Sequence, residues 1–164
     1  MNIRRTLYIV SASFLIGGIT YQCKKAEDKK IISEEITFTK EGTLQIYDND
    51  SLLVDNIAIE IAENEYERQT GLMYRQSMQE KQAMLFIFED EEPRSFYMRN
   101  TLISLDIIYL NRDLKIVSII KDAKPKDETS LPSKAPAQYV LELNAGLVDQ
   151  WGLKEGNHIK FTRD

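Results

Sequence analysis

Apolar and polar residues alternate along much of the chain with the period of two that a half-buried strand requires. Ile57, Ile59 and Ile61 alternate with Ala58, Glu60 and Ala62, and Phe96 and Met98 share one side of Ser95–Arg99. Met84–Phe88 (MLFIF) is a continuous apolar run suited to a central strand. Leu105–Leu110 and Ile116–Ile120 are rich in β-branched residues, and Asn111-Arg112-Asp113 between them fits a short hairpin link. Tyr139–Leu143 and His158–Phe161 complete the set. Helical signals are brief. Asn64 followed by Glu67 has the spacing of a capping pair, with Gly71 as terminator. Asn144 is placed to cap a second helix running to about Trp151, with Gly152 after it. Residues 122–138 hold Pro125, Pro132 and Pro136 and read as a long surface loop. About eight short strands, two short helices and no βαβ rhythm predict an all-β sandwich or barrel.

The N-terminus follows another pattern. Arg4 and Arg5 precede an uncharged, mostly apolar run of 13 residues, Leu7–Ile19, and Cys23 follows closely. A spanning helix needs roughly 20 apolar residues, whereas a basic start and a short apolar core suit an export signal. The reading is a signal peptide over 1–22, lipidation at Cys23, a charge-mixed tether over 23–35 and one β-rich domain over 36–164. Gln22 and Thr20 depart from the usual lipoprotein pattern, which leaves ordinary cleavage or an uncleaved anchor as alternatives. The expected location is the bacterial cell envelope, with the membrane as partner through an N-terminal lipid.

Composition narrows the function classes. The single Cys excludes an internal disulfide, and one Cys with one His excludes a Cys/His-rich metal centre. Lys plus Arg number 21 against 26 Asp plus Glu, so the basic excess of a nucleic-acid binder is missing. Removal of Arg4 and Arg5 with the signal would make the exported part more acidic still.

Four stretches stand in order: Thr70–Arg75 (TGLMYR), Met84–Phe88, Pro93–Ile107 (PRSFYMRNTLISLDI) and Tyr139–Gly146 (YVLELNAG). Together they resemble the family known as domain of unknown function 192, over roughly Ile57 to Phe161. The resemblance implies a compact, jelly-roll-like β domain, often exported or lipid-anchored, and no established activity. Ser104 departs from the Pro common at that position in the family.

The candidate chemistry is sparse. No Gly-x-Ser-x-Gly motif is present, His158 reads as a surface strand residue, and neither Asp48-Asn49-Asp50 nor the acidic turn Glu89–Glu92 completes a calcium loop. No cofactor, metal or catalytic residue is expected. Met73, Met84 and Met98 offer soft thioethers of the kind that bind copper, but Met more often simply fills a core. Asp106 interrupts an apolar strand, on the face of Ile108 and Leu110, and a buried carboxylate needs partners. One reading pairs it with Arg94, Arg75 or backbone N–H groups of the Asn100–Ser104 turn, as a structural tie. The other places Arg94, Asn100 and Asp106 in a concave ligand site walled by Met73, Tyr97 and Met98. Two functions follow. The first is a non-catalytic binding module for a small molecule, a glycan or an envelope protein, with no nucleic-acid partner. The alternative is an envelope hydrolase or lyase using Asp106 and Glu142 as an acid–base pair.

Overall fold

The computed structural model describes residues 36–164. The signal peptide, Cys23 and the tether to residue 35 lie outside the described residues. The strands are β1 (Gly42–Asp48), β2 (Ser51–Ala62), β3 (Gln82–Phe96), β4 (Leu105–Leu110), β5 (Ile116–Ala123), β6 (Leu131–Asn144) and β7 (His158–Arg163). Helix α1 (Glu65–Thr70) lies between β2 and β3, and α2 (Leu147–Gln150) between β6 and β7. The strands make one sheet in the order β5-β4-β6-β3-β2-β1-β7. Every pair is antiparallel except β2–β3. A parallel pair needs a crossover, and α1 with residues 71–81 provides it.

The two edges of this sheet meet at one end. Ile116 N–H donates to Asn157 O at 2.8 Å, Gly156 N–H to Ile116 O at 2.9 Å and Ile159 N–H to Leu114 O at 3.0 Å. The sheet thus curls into a partly closed barrel, mainly β with two short helices, as the alternating pattern predicts. Inside the curl, Leu44, Ile46, Ile59, Leu85, Ile108, Leu141 and Ile159 form the larger core. A second core lies on the other face of β3, β4 and β6, where Phe86, Ile107, Tyr109 and Val140 pack with Leu72 and Met98. All six residues of β4 are buried for that reason. The second core also explains Glu60. Its alternation within β2 suggests a solvated side, yet it is buried, and Arg75 donates to both carboxylate oxygens at 2.5 and 2.6 Å.

Local signals fared unevenly. Helix α1 carries the full capping box: Asn64 accepts from Glu67 N–H, Glu67 accepts from Asn64 N–H, and Gly71 ends it at φ 46°. Asn144 does not cap α2. It sits at the end of β6 with its amide on the Met78 and Gln79 carbonyls, and α2 starts after Gly146 with no capping side chain of its own. Residues 131–138, expected in a loop, belong to β6, and the acidic turn Glu89–Glu92 belongs to β3. Pro93 faces Pro136 across a stretch where the register shifts on both sides. Such bulges free the ladder from donors that proline lacks. Conversely Tyr97, Met98 and Arg99, expected in a strand, leave the sheet after Phe96.

Candidate functional site

The second core is not fully closed over. Between α1 and the sheet lies a cavity of about 260 Å³. Its walls are mostly apolar: Leu72 and Met73 after the helix, Phe86 and Phe88 from β3, then Phe96 and Tyr97. The local chain path makes these walls. Gly71 turns the chain down from α1, and a Cβ there would press within 3.0 Å of the Phe86 ring. The following turn is stitched to the segment after β3, through the Met73–Thr101 bridge and Tyr74 N–H donating to Asn100 O at 2.9 Å. Phe86 and Phe96 meet edge to face at 5.0 Å, a favoured aromatic geometry that fixes both rings.

One carboxyl group sits among these walls. Glu142 of β6 lies beside Met84 of β3 and Ile107 of β4 in register, so it points into the second core. It lines the cavity and is only 5% exposed. Burial pushes its carboxyl up to about 8, with no hydrogen bond or opposite charge among the described residues pulling it back. Glu142 is thus largely protonated at neutral pH. The Tyr109 phenol is also raised, by burial first and by the nearby Glu142 charge second; it donates to Leu131 O. Around the rim, Glu65, Arg68, Thr70, Ser95 and Thr101 add polar groups. Arg68 is already engaged, donating to Glu63 O and Ile87 O and lying 5.4 Å from the Phe88 ring centre.

The ligand set expected from the sequence is divided by the structure. Met73 and Tyr97 line the cavity, and Asn100 touches it only through its amide 3.9 Å from Met73 Sδ. Met98 is a buried core residue, 1% exposed. Arg94 lies along β3, donating to Ala137 O and paired with Asp90, its guanidinium 4.1 Å from the Phe88 ring centre. It does not meet Asp106, and it reaches the cavity only through Phe88 without lining it. His158, as expected, is a half-buried strand residue, stacked on Tyr47.

Asp106 is buried completely, but on the inner face. Its partners are neither Arg94, nor Arg75, nor the Asn100–Ser104 turn. It accepts from Gly146 N–H, Val148 N–H and Asp122 N–H, each at 2.9 Å. The first two are the free donors at the start of α2, so a side chain from β4 caps that helix. The third arises from a bulge. Leu105 pairs with Ala123 and Ile107 with Ile120, leaving Lys121 and Asp122 opposite Asp106 alone. Asp106 therefore ties β4, β5 and α2 together as a structural residue. Because Asp106 faces Leu143 while its neighbour Ile107 faces Glu142, the two carboxyls point to opposite sides of the sheet. They cannot work as an acid–base pair, and the hydrolase or lyase built on that pair falls.

Sequence reasoning missed Leu72, Phe86, Phe88, Phe96 and Thr101 as lining residues, and valued Glu142 only as a partner of Asp106. Each missed apolar residue belongs to a run that reads as core from its pattern alone. The signal was Glu142 itself, a carboxylate in the apolar stretch Tyr139–Leu143.

The partly closed barrel with a pocket on its second face defines a small β domain with a cavity that Glu142 lines. The family model for domain of unknown function 192, described as uncharacterised ACR, matches residues 46–161, and the chain belongs to that family. The four stretches that carry the resemblance all reach the cavity: Thr70–Met73, Phe86, Ser95–Tyr97 with Thr101, and Glu142. Two solved structures are similar. A protein of unknown function from Novosphingobium aromaticivorans DSM 12444 is 32% identical with a TM-score of 0.68, covering 72% of this chain and 83% of its own. A chain from Sinorhizobium meliloti 1021, described as a proposed transcription regulator, is 33% identical with a TM-score of 0.70, covering 77% and 97%. No curated protein matches the chain.

Proposed function

We propose that the chain is a non-catalytic ligand-binding domain of the bacterial cell envelope, tethered through a lipid on Cys23, with the cavity beneath α1 as its binding site. The observation that carries this reading is the cavity itself, whose aromatic and aliphatic walls are shared by Glu142, a buried carboxyl without a partner among the described residues. Binding sites combine apolar lining with a few convergent polar groups, and a buried polar group left unpaired is costly unless something else satisfies it. The cavity is smaller than the roughly 300–1,000 Å³ of drug-sized sites. It suits a small molecule or a single side chain of a partner. The Arg4-Arg5 start, the apolar run and Cys23 support the envelope location. The acidic balance of the chain speaks against a nucleic-acid partner for it.

The test labels methionine methyl groups in the full chain and screens small molecules. Met73 lines the cavity and Met78 does not, so binding should shift Met73 and leave Met78 in place. Phe96→Trp, which crowds the cavity, should remove the shifts. A broad screen that never moves Met73 would refute the binding-site reading.

A further inference from the structure

We infer that the cavity takes a primary ammonium group on a short apolar stem, with Glu142 as its counter-ion. This rests on the cavity being a ligand site, and goes beyond that by naming the chemistry of the occupant.

Glu142 lacks a partner among the described residues. It is 5% exposed, it lines the cavity, and no donor of the described residues holds its carboxyl. The charged and titratable groups around it are otherwise committed. Across the same face, two strands away through Met84, Glu60 is bonded to Arg75. On α1, Arg68 is held by two carbonyls and Phe88, and Glu65 stands at the rim. On β4, the Tyr109 hydroxyl donates to Leu131 O. Tyr97 is half exposed and lines the entrance side. None of these supplies a positive charge to Glu142, so a cationic ligand would be the missing half of an ion pair.

The walls fit the same occupant. Leu72, Met73 and Phe86 would surround an apolar stem, while Phe86 and Phe96 add ring faces or edges to the cavity that Glu142 lines. Aromatic rings attract cations, most strongly where water is excluded. A carboxylate ligand would instead add like charge beside Glu142, and a neutral alcohol would leave the ion pair unmade. When the ammonium enters, Glu142 releases its proton to solvent and the bound pair is carboxylate and ammonium. Binding therefore strengthens as pH rises toward the titration of Glu142. The stem and head group match a free alkylamine and equally a lysine side chain presented by a partner peptide.

The experiment uses the full chain with labelled methionine methyls, titrated with n-butylamine, n-butanol and butyrate, and separately with Nα-acetyl-lysine N-methylamide. Butylamine should shift Met73 and Met84, binding at least about tenfold tighter than butanol. Its affinity should rise about tenfold from roughly pH 6 to 7 and level off as pH passes about 8, with no such slope for butanol. Glu142→Gln, which keeps shape and removes charge, should abolish the preference for amine over alcohol. Binding of the lysine derivative would assign the site to a peptide side chain, and its failure beside butylamine binding to a free amine. Butanol or butyrate binding as well as butylamine would overturn the ammonium assignment and leave the binding site standing. The wild-type pH slope decides the matter if the variant fails to fold, and a flat slope for butylamine would also overturn it. Silence from every probe of either charge would count against both this inference and the site itself.

Discussion

Replacing Asp106 by Asn should cost stability without touching ligand binding. The carboxylate accepts three backbone N–H groups, Asp122 on one oxygen, Gly146 and Val148 on the other. An amide has one accepting oxygen and one donating nitrogen. Its oxygen can keep Gly146 and Val148, and its nitrogen then meets the Asp122 N–H donor to donor. One hydrogen bond to a charged acceptor is lost, worth about 1.5–3 kcal/mol, and a donor is left unsatisfied at about 1–3 kcal/mol; these overlap, so the expected loss is about 2–4 kcal/mol. For a domain of this size that lowers Tm by roughly 10 °C. Thermal unfolding followed by circular dichroism measures it. Because Asp106 faces the inner core and Glu142 the cavity, ligand shifts at Met73 should survive in the variant at temperatures where it is folded. A Tm within about 2 °C of the parent would refute the capping role. Loss of ligand binding with full stability would show that the wrong face has been assigned to the site.

Arg75→Ala should be severe, about 3–5 kcal/mol, because it strands Glu60 as a buried carboxylate without its counter-charge, held only by the Thr39 N–H; chemical denaturation checks it, and adding Glu60→Gln should restore part of the loss. Glu142→Gln should gain stability relative to the parent as pH rises. The folded carboxyl titrates near 8 against an ordinary 4.5, so the folded parent holds the proton that the unfolded chain releases. The parent thus loses about 1.4 kcal/mol per pH unit between those values, and the variant does not. Parallel pH profiles for the two proteins would argue that Glu142 is not desolvated. Cys23→Ser should release the chain from the membrane fraction, or trap it in uncleaved form, and remove labelling by radioactive fatty acid; unchanged labelling would place the anchor elsewhere.

The strand at Ile57–Ile61 was readable from its period of two, which marks the residues of the inner core although Glu60 and Ala62 on the other side are buried as well, and the hairpin about Asn111–Asp113 was readable from its turn residues. Helix α1 was readable from Asn64, Glu67 and Gly71 because a capping box is a local interaction. Helix α2 was misread at Asn144 because its cap comes from Asp106, 40 residues away in the chain, and pairing at that range leaves no local mark. The prolines at 132 and 136 signalled a loop, but the bulged pairing with Pro93 and Ser95 accommodates them in a long strand. The cavity was hidden for a related reason. Phe86 and Phe96 bear the pattern of core residues, and they are core residues on one side. Only the crossover through α1, required by the parallel β2–β3 pair, leaves space beside them. Asp106 read as an anomalous carboxyl in an apolar strand, and Glu142 only as its partner. Telling the tie from the site required the register, which sends one to backbone donors and the other to an open pocket.

The account turns on Glu142 being a solitary, desolvated carboxyl within a cavity that a ligand can reach. Its side-chain carboxyl carbon, labelled with ¹³C and assigned by comparison with Glu142→Gln, reports its titration directly in the full chain. The account predicts a midpoint near 8, moving down when n-butylamine fills the cavity. A midpoint at the ordinary 4.5 in the free protein, unmoved by butylamine, would mean that water or a partner already satisfies Glu142 and would contradict the account.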